Sequence, residues 1–372
     1  MLINEAQKDL KKSFFIRENL YFKKKIKKKK LFNFEKDIMI VFRLFFNSFK
    51  YKKLAKEIIT DIINETINKY YYNYKFLDKH LDNFNILKNS NFLTSQLSNV
   101  NDFSFIDLLK KKYNSKIIVF QHGHGQGLTK YHEKIKFLKE SSYSDFNYVF
   151  SNNAYKYDTK NNYFSEGKTI ALKYHKPYNK ILTKLNYFNK KFDLVYFSPW
   201  HMNGTDHSIY NYLINDLEKI NIEKDLVENY LSKANYNILI KKYPYNLQKY
   251  RSENSISGLT KKYDNLKYFD QSLKYPEFYQ KNQIILMFGC GSTFGYLASF
   301  NNPIILINLK NYFPIKEDLK NKFKKSIFLI DYWSPNFSNS LKKLIYNKNF
   351  LLKEWKNKSF YRNKFYKEYL GI

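Results

Sequence analysis

Twice in this chain an apolar run breaks directly into glycine. Ile117-Ile118-Val119-Phe120 leads into Gln121-His122-Gly123-His124-Gly125-Gln126-Gly127, and Ile284-Ile285-Leu286-Met287-Phe288 leads into Gly289-Cys290-Gly291-Ser292-Thr293-Phe294-Gly295. Only 10 of the 372 residues are glycine, and six of them lie in these two places. The clusters therefore mark points where backbone must turn sharply or come close to a ligand. Each reads as a strand end feeding a helix start, the junction at which α/β proteins hold phosphates and nucleotides. Two such junctions predict two domains facing each other across a cleft.

Strands and helices alternate around these junctions. The expected strands are 116–120, 147–151, 168–172, 192–197, 236–241, 284–288 and 303–308, with a helical stretch over 208–234. Continuous apolar strands in a βαβα rhythm argue a parallel sheet covered by helices. Residues 1 to about 110 hold no glycine or proline and read as helices joined by loops, with Asp102 a suitable cap for the helix that follows it. A polar, lysine-rich stretch near 179–191 marks the boundary between domains. The expected division is a helical N-terminal region over 1–100, a first Rossmann-like domain over 101–185, a second over 190–346 and a terminal helix over 347–372. Each of the two domains is long enough to bury its own core.

A formal net charge of +32 invites a nucleic-acid reading, but only Arg17, Arg43, Arg251 and Arg362 of the 65 basic residues are arginine. Bidentate contacts to bases and phosphates favour arginine, so specific nucleic-acid recognition is not expected. Loose attraction to an anionic membrane fits lysine better, and Lys23 to Lys30 is the run that suggests it; a solvated face is the competing reading. The single cysteine, Cys290, leaves no disulfide framework and suits a reducing cytoplasm. No signal-peptide pattern opens the chain, and Ile38 to Phe42 is too short to span a bilayer. The expected setting is cytoplasmic, with peripheral contact at the inner membrane face.

Three groups of residues carry chemistry. Gly291-Ser292-Thr293 follows a buried strand and opens a helix, so N–H groups and hydroxyls gather at an anion site; an ordinary turn with Ser292 as cap is the alternative. No lysine stands where a Walker loop requires one. Lys241, at the end of a strand that runs into Lys242-Tyr243-Pro244, would point into the ligand crevice of an open sheet and neutralise a diphosphate; in a lysine-rich chain a surface position competes. His122, at a strand end beside flexible backbone, suits a general base. With His124 and His132 it would also suit a metal, although no H-E-x-x-H pattern is present and Glu133 lies beyond the loop; a purely structural histidine is the third reading.

The order of these motifs resembles a known group. The Gln121-His122-Gly123 loop, Asp145 to Ser151, Lys241-Lys242-Tyr243-Pro244, and Gly291-Ser292-Thr293 with Tyr296-Leu297-Ala298 in the next helix look like the GT-B-fold transferases of bacterial surface-carbohydrate loci. The layout is similar to CDP-glycerol glycerophosphotransferases and capsule Kdo transferases. The resemblance spans about residues 105 to 370, including the tail from Trp355 to Tyr369. Two positions depart from it. Lys241 stands where the family has arginine, keeping charge but losing the bidentate fork, and Tyr296-Leu297-Ala298 stands where many such enzymes carry a glutamate.

What the resemblance implies is an α/β, GT-B-like fold with a helical N-terminal extension, whose terminal helix packs back on the first domain. It implies transfer of a sugar or polyol phosphate from a nucleotide-activated sugar or CDP-polyol donor to a glycan or lipid-linked acceptor, with no metal and no cofactor. His122 would be the catalytic base, with Gln121, Gly123, His124 and Gly125 forming the acceptor loop. Lys241, Gly291, Ser292 and Thr293 would hold the donor phosphates, helped by Ser198 and His201 at the end of the strand over 192–197. A non-catalytic glycan-, membrane- or partner-binding protein with a GT-B-like fold fits the same motifs.

Overall fold

The structure is a computed structural model. It describes residues 53–81, 87–95, 100–121, 126–130, 144–160, 167–172, 192–199, 216–242, 255–269, 280–310 and 312–372. In chain order the elements are α1 (Lys53–Leu81), β1 (Asn91–Thr94), α2 (Val100–Tyr113), β2 (Lys116–Phe120), β3 (Phe146–Val149), α3 (Asn152–Lys160), β4 (Lys168–Ala171), β5 (Leu194–Phe197) and α4 (Asp216–Leu226). They continue with β6 (Ile238–Lys241), α5 (Ser255–Thr260), β7 (Leu266–Phe269), β8 (Ile284–Phe288), α6 (Ser292–Ala298), β9 (Ile304–Asn308), α7 (Glu317–Ser326), β10 (Phe328–Asp331), α8 (Phe337–Ile345), α9 (Lys348–Asn357) and α10 (Ser359–Phe365). A π-helical turn, Tyr366–Leu370, extends α10.

Two compact units result. The first draws on Met1–Gln121, Lys139–Tyr148 and Asn162–Ile170, the second on His122–Leu138, Val149–Asn161 and Ala171–Ile372. Each is Rossmann-like, built on its own sheet, with strand order β1-β2-β3-β4 in one and β10-β9-β8-β5-β6-β7 in the other. Two Rossmann-like α/β units in one chain are the fold class expected from the sequence.

In the first unit, β1, β2 and β3 run parallel. β4 follows beside β3, with the Lys168 N–H bonded to the Asp145 carbonyl at 2.9 Å. α1 packs on α2, and Leu77, Ile106, Leu109, Ile117 and Val119 form the core. The sheet starts earlier than the sequence suggests. Asn91–Thr94, within the stretch read as helical, is a strand paired with β2. It sits at the sheet edge with no fully buried residue, so it lacks the continuous apolar run that marks a covered strand.

In the second unit all neighbouring strands of the six-stranded sheet pair parallel. All residues of β6, β8 and β9 are buried, which is why these strands read as unbroken apolar runs. β5 comes first in the chain and lies centrally. The chain builds outward through β6 and β7, then returns to β8 on the other flank of β5 and builds outward through β9 and β10. This is the doubly wound order 3-2-1-4-5-6, and its reversal between β5 and β8 opens a crevice at the carboxyl ends of those strands.

α3 also belongs to the second unit, although sequence assigns its residues to the first domain. The reason is contact. The π-helical end of the C-terminal segment packs on α3, and Gly371, at φ +71°, lies so close to the Phe150 carbonyl that a Cβ there would overlap it.

Candidate functional site

The crevice between β5 and β8 is bounded by residues that both sequence and topology single out. Phe197, the last residue of β5, is registered with Lys241 on one side and Met287 on the other. Ser198 follows, its N–H bonded to the Lys241 carbonyl at 3.0 Å. The Ser198 side chain is buried, and its Oγ has no hydrogen-bond partner among the described residues. Burying a hydroxyl unpaired is costly, so an unpaired one at a switch point fits an anionic oxygen of a ligand.

Lys241 is only 4% exposed, which removes the surface alternative. Its Nζ donates to the Lys242 carbonyl at 3.3 Å and lies 5.5 Å from the Phe269 ring centre. The strand end thus carries a buried cation one ladder step from Ser198. Lys242 is buried as well, with its N–H held by the Phe269 carbonyl at 3.0 Å.

On the other flank, the two glycines after β8 do different things. Gly289 has φ +67°, and a Cβ there would stand 2.9 Å from the Tyr312 ring and 3.1 Å from the Tyr312 carbonyl. Glycine is required there both by conformation and by crowding. Gly291 has φ −86° and caps α6 without any side-chain hydrogen bond, and nothing lies within 4 Å of a Cβ added to it. Ser292 is therefore not the cap. It is exposed in the first turn, beside half-buried Thr293. Cys290 is fully buried, and burial pushes its thiol well above the ordinary value, which disfavours the thiolate.

The first glycine cluster ends in this same unit. Gly127, at φ +79°, is pressed against Asn153 and Tyr157 of α3, and Asn153 Nδ2 donates to the Gln126 carbonyl at 3.0 Å. Beyond it, Thr129 and Ile315 form an antiparallel bridge, with Lys130 N–H to Pro314 O at 2.9 Å and Lys316 N–H to Leu128 O at 3.1 Å. The segment Tyr312–Lys316 thus touches the second cluster and the residues that directly follow the first. Tyr312 packs against Gly289, the Phe313 carbonyl accepts from the Cys290 N–H at 3.4 Å, and Pro314 to Lys316 pair with Leu128 to Lys130. Asn308 pins this segment by accepting the Ile315 N–H at 3.2 Å while donating to Asp331 at 2.5 Å. Gln121, in the first unit, is buried, with its N–H bonded to the Tyr148 carbonyl at 2.8 Å. His122, Gly123, His124, Gly125, His132 and His201 lie outside the described residues.

Sequence reasoning missed a polar group next to the crevice. Tyr196 of β5 is fully buried and donates to Glu223 of α4 at 2.7 Å. Burial and the neighbouring carboxylate hold its phenol well above the usual range. Its ring meets Phe288 of β8 edge-on at 5.7 Å. Lys219, one turn before Glu223 and also buried, places its Nζ 5.7 Å from the Tyr312 ring centre. The only sequence signal is the i, i+4 spacing of Lys219 and Glu223, which a surface helix shows equally. Among the described residues no three His, Cys, Asp or Glu side chains are grouped to hold a metal, and no helix is long and apolar enough to cross a membrane.

No family model and no curated protein matches the chain. Among solved structures it is similar to the UDP-forming α,α-trehalose-phosphate synthase of Burkholderia xenovorans in complex with glucose-6-phosphate, at 9% identity over 80% of this chain and 76% of that one, with a TM-score of 0.44. The corresponding synthase of Burkholderia vietnamiensis shares 10% identity over 70% and 68% of the two chains, with a TM-score of 0.37. The spinosyn forosaminyltransferase shares 9% over 70% and 68%, with a TM-score of 0.36. At these scores the likeness adds nothing to what the chain's own strands show.

Proposed function

We propose that the chain is a metal-independent transferase that moves a sugar, or a polyol phosphate, from a nucleotide-activated donor to a hydroxyl of a bacterial surface-glycan precursor at the cytoplasmic face of the membrane. The observation that supports it most is the β5/β8 switch point, where Ser198, with its unpaired buried hydroxyl, is bonded through its N–H to the carbonyl of buried Lys241. A nucleoside diphosphate brings the negative charge and acceptor oxygens that such a pair complements. The order of motifs around it supplies the reaction class by resemblance.

In the sugar-transfer form, the acceptor oxygen attacks the anomeric carbon, the carbon–oxygen bond to the donor phosphate breaks, and the nucleoside diphosphate leaves with the bonding pair. His122 takes the acceptor proton. Lys241, Ser198 and the Gly291–Thr293 turn stabilise the charge growing on the leaving phosphate, which a fixed cation and oriented N–H groups do without reorganisation. His201 adds to the phosphate contacts, while Gln121, Gly123, His124 and Gly125 shape the acceptor side.

The test is a thermal-shift screen of UDP, CDP, GDP and their sugar or polyol conjugates. One that binds the folded state raises the melting temperature by mass action, by about 2.7 kcal/mol of stability at a hundredfold excess over its dissociation constant. A flat response to every nucleotide would remove the donor reading.

A further inference from the structure

Away from the crevice, α10 carries two exposed aromatic side chains in succession. Phe360 is 72% and Tyr361 is 49% exposed. α10 packs on α7, whose last turn holds Lys324 and Lys325, both exposed. The Nζ of Lys325 lies 5.7 Å from the Tyr361 ring centre. Ser326 Oγ donates to the Tyr361 carbonyl at 3.3 Å, and Lys358 Nζ donates to the Lys324 carbonyl. Lys364, exposed one turn beyond Phe360, extends the basic border. The nearest carboxylates in the sequence are engaged elsewhere: Glu354 accepts from Asn357 at 3.0 Å, and Glu368 lies 4.0 Å from Lys322.

We propose that this face, Phe360 and Tyr361 bordered by Lys324, Lys325 and Lys364, docks on an anionic lipid bilayer. Aromatic rings settle at the headgroup level, where one side is apolar and the other wet, and lysines next to them are drawn to anionic headgroups. Two rings ringed by lysine are too narrow and too charged to serve as the apolar core of a protein interface. Nor do they suit stacked bases: the ring planes stand 81° apart, so they cannot offer parallel faces to successive nucleotides.

Position within the unit is consistent with such a role. Ile327 alone separates α7 from β10, so the last turn of α7 lies at the edge where the strands begin. The crevice lies at the opposite edge, where they end. A bilayer held at this face leaves the crevice open to a soluble donor.

The test uses the full chain in co-sedimentation with vesicles of phosphatidylcholine alone and of phosphatidylcholine with phosphatidylglycerol, at low and at high salt. Binding to the anionic vesicles and not to the neutral ones is expected. Lys324→Glu with Lys325→Glu should weaken it about tenfold or more. Phe360→Ser with Tyr361→Ser, which leaves the charge untouched, should abolish the fraction that survives high salt. These side chains are exposed, so both variants should keep the parent melting temperature, and nucleotide binding at the crevice should be unchanged. Absence of vesicle binding would overturn the proposal, as would binding that neither double variant alters. Preferential capture of a single-stranded oligonucleotide, lost on the same substitutions, would replace the bilayer with nucleic acid.

Discussion

Thr129 and Ile315 face each other in an antiparallel bridge. That contact ties the residues after the first glycine cluster to the segment that supports the second. Through Tyr312 and Phe313 the same segment sets the backbone at Gly289 and Cys290. The second glycine turn and the residues that follow the first cluster, far apart in the chain, share one structural support.

The glycines of the second cluster should separate on substitution. Gly289→Ala must hold an alanine at φ +67° with its Cβ 2.9 Å from the Tyr312 ring. The left-handed conformation alone costs about 1–2 kcal/mol, and the contact adds to it. Gly291→Ala meets no atom within 4 Å at an ordinary φ and should stay within about 0.5 kcal/mol of the parent. Urea unfolding of the two variants compares them directly. Equal losses would contradict this account of the turn.

Lys241→Ala should weaken a nucleotide diphosphate donor by about tenfold or more, since a charge-assisted contact contributes about 1.5–3 kcal/mol. Ser198→Ala removes a hydroxyl that has no partner among the described residues, so it should lower donor affinity while leaving stability unchanged or slightly raised. Calorimetry and denaturation on the same samples separate the two effects. A Ser198→Ala variant that loses stability but keeps its affinity would make the hydroxyl structural.

Cys290 supplies a pH dependence. Burial raises its thiol well above the ordinary 9.0, so above that value the unfolded chain has lost a proton that the folded chain keeps. Folding then binds more protons than unfolding, and stability falls as pH rises through the alkaline range. Cys290→Ala should flatten the decline of the urea midpoint above about pH 9, near the free thiol's ordinary value. In the parent, a thiol reagent should label Cys290 only after denaturant is added. Rapid labelling of the folded protein would contradict the burial argument.

His122→Ala should lower turnover by about 10²–10⁴ while donor affinity holds, because proton removal matters in the transition state. His124→Ala is the control on the same loop. Loss of activity on chelation, with metal retained by the purified chain, would assign these histidines to a metal instead. Full turnover in folded His122→Ala protein would exclude it as the base.

Much of the second unit was legible because burial on both faces forces a strand into an unbroken apolar run. β8 and β9 lie within a residue of where the sequence placed them. Edge strands escaped the same reading. β7 carries exposed Lys267 between buried Leu266 and half-buried Tyr268, and β1 holds no fully buried residue. An edge strand has one flank uncovered, so its composition no longer announces it. Of the site, Lys241, Ser198 and the glycine turn were visible as strand ends. Tyr196, Glu223 and Lys219 were not, since a buried polar side chain looks in sequence like any exposed one.

By itself the sequence determined the local events: where covered strands run, where the backbone must break, and that strands and helices alternate in an α/β pattern. These depend on side-chain polarity and glycine content over a few residues. The tertiary structure alone decided which strands lie side by side, and hence that the crevice falls between β5 and β8. It also decided that Lys241 is buried, and that Leu128 to Lys130 join the second unit through Pro314–Lys316. Such outcomes depend on pairing between residues remote in the chain, selected by the packing of the whole sheet, and no local period encodes them.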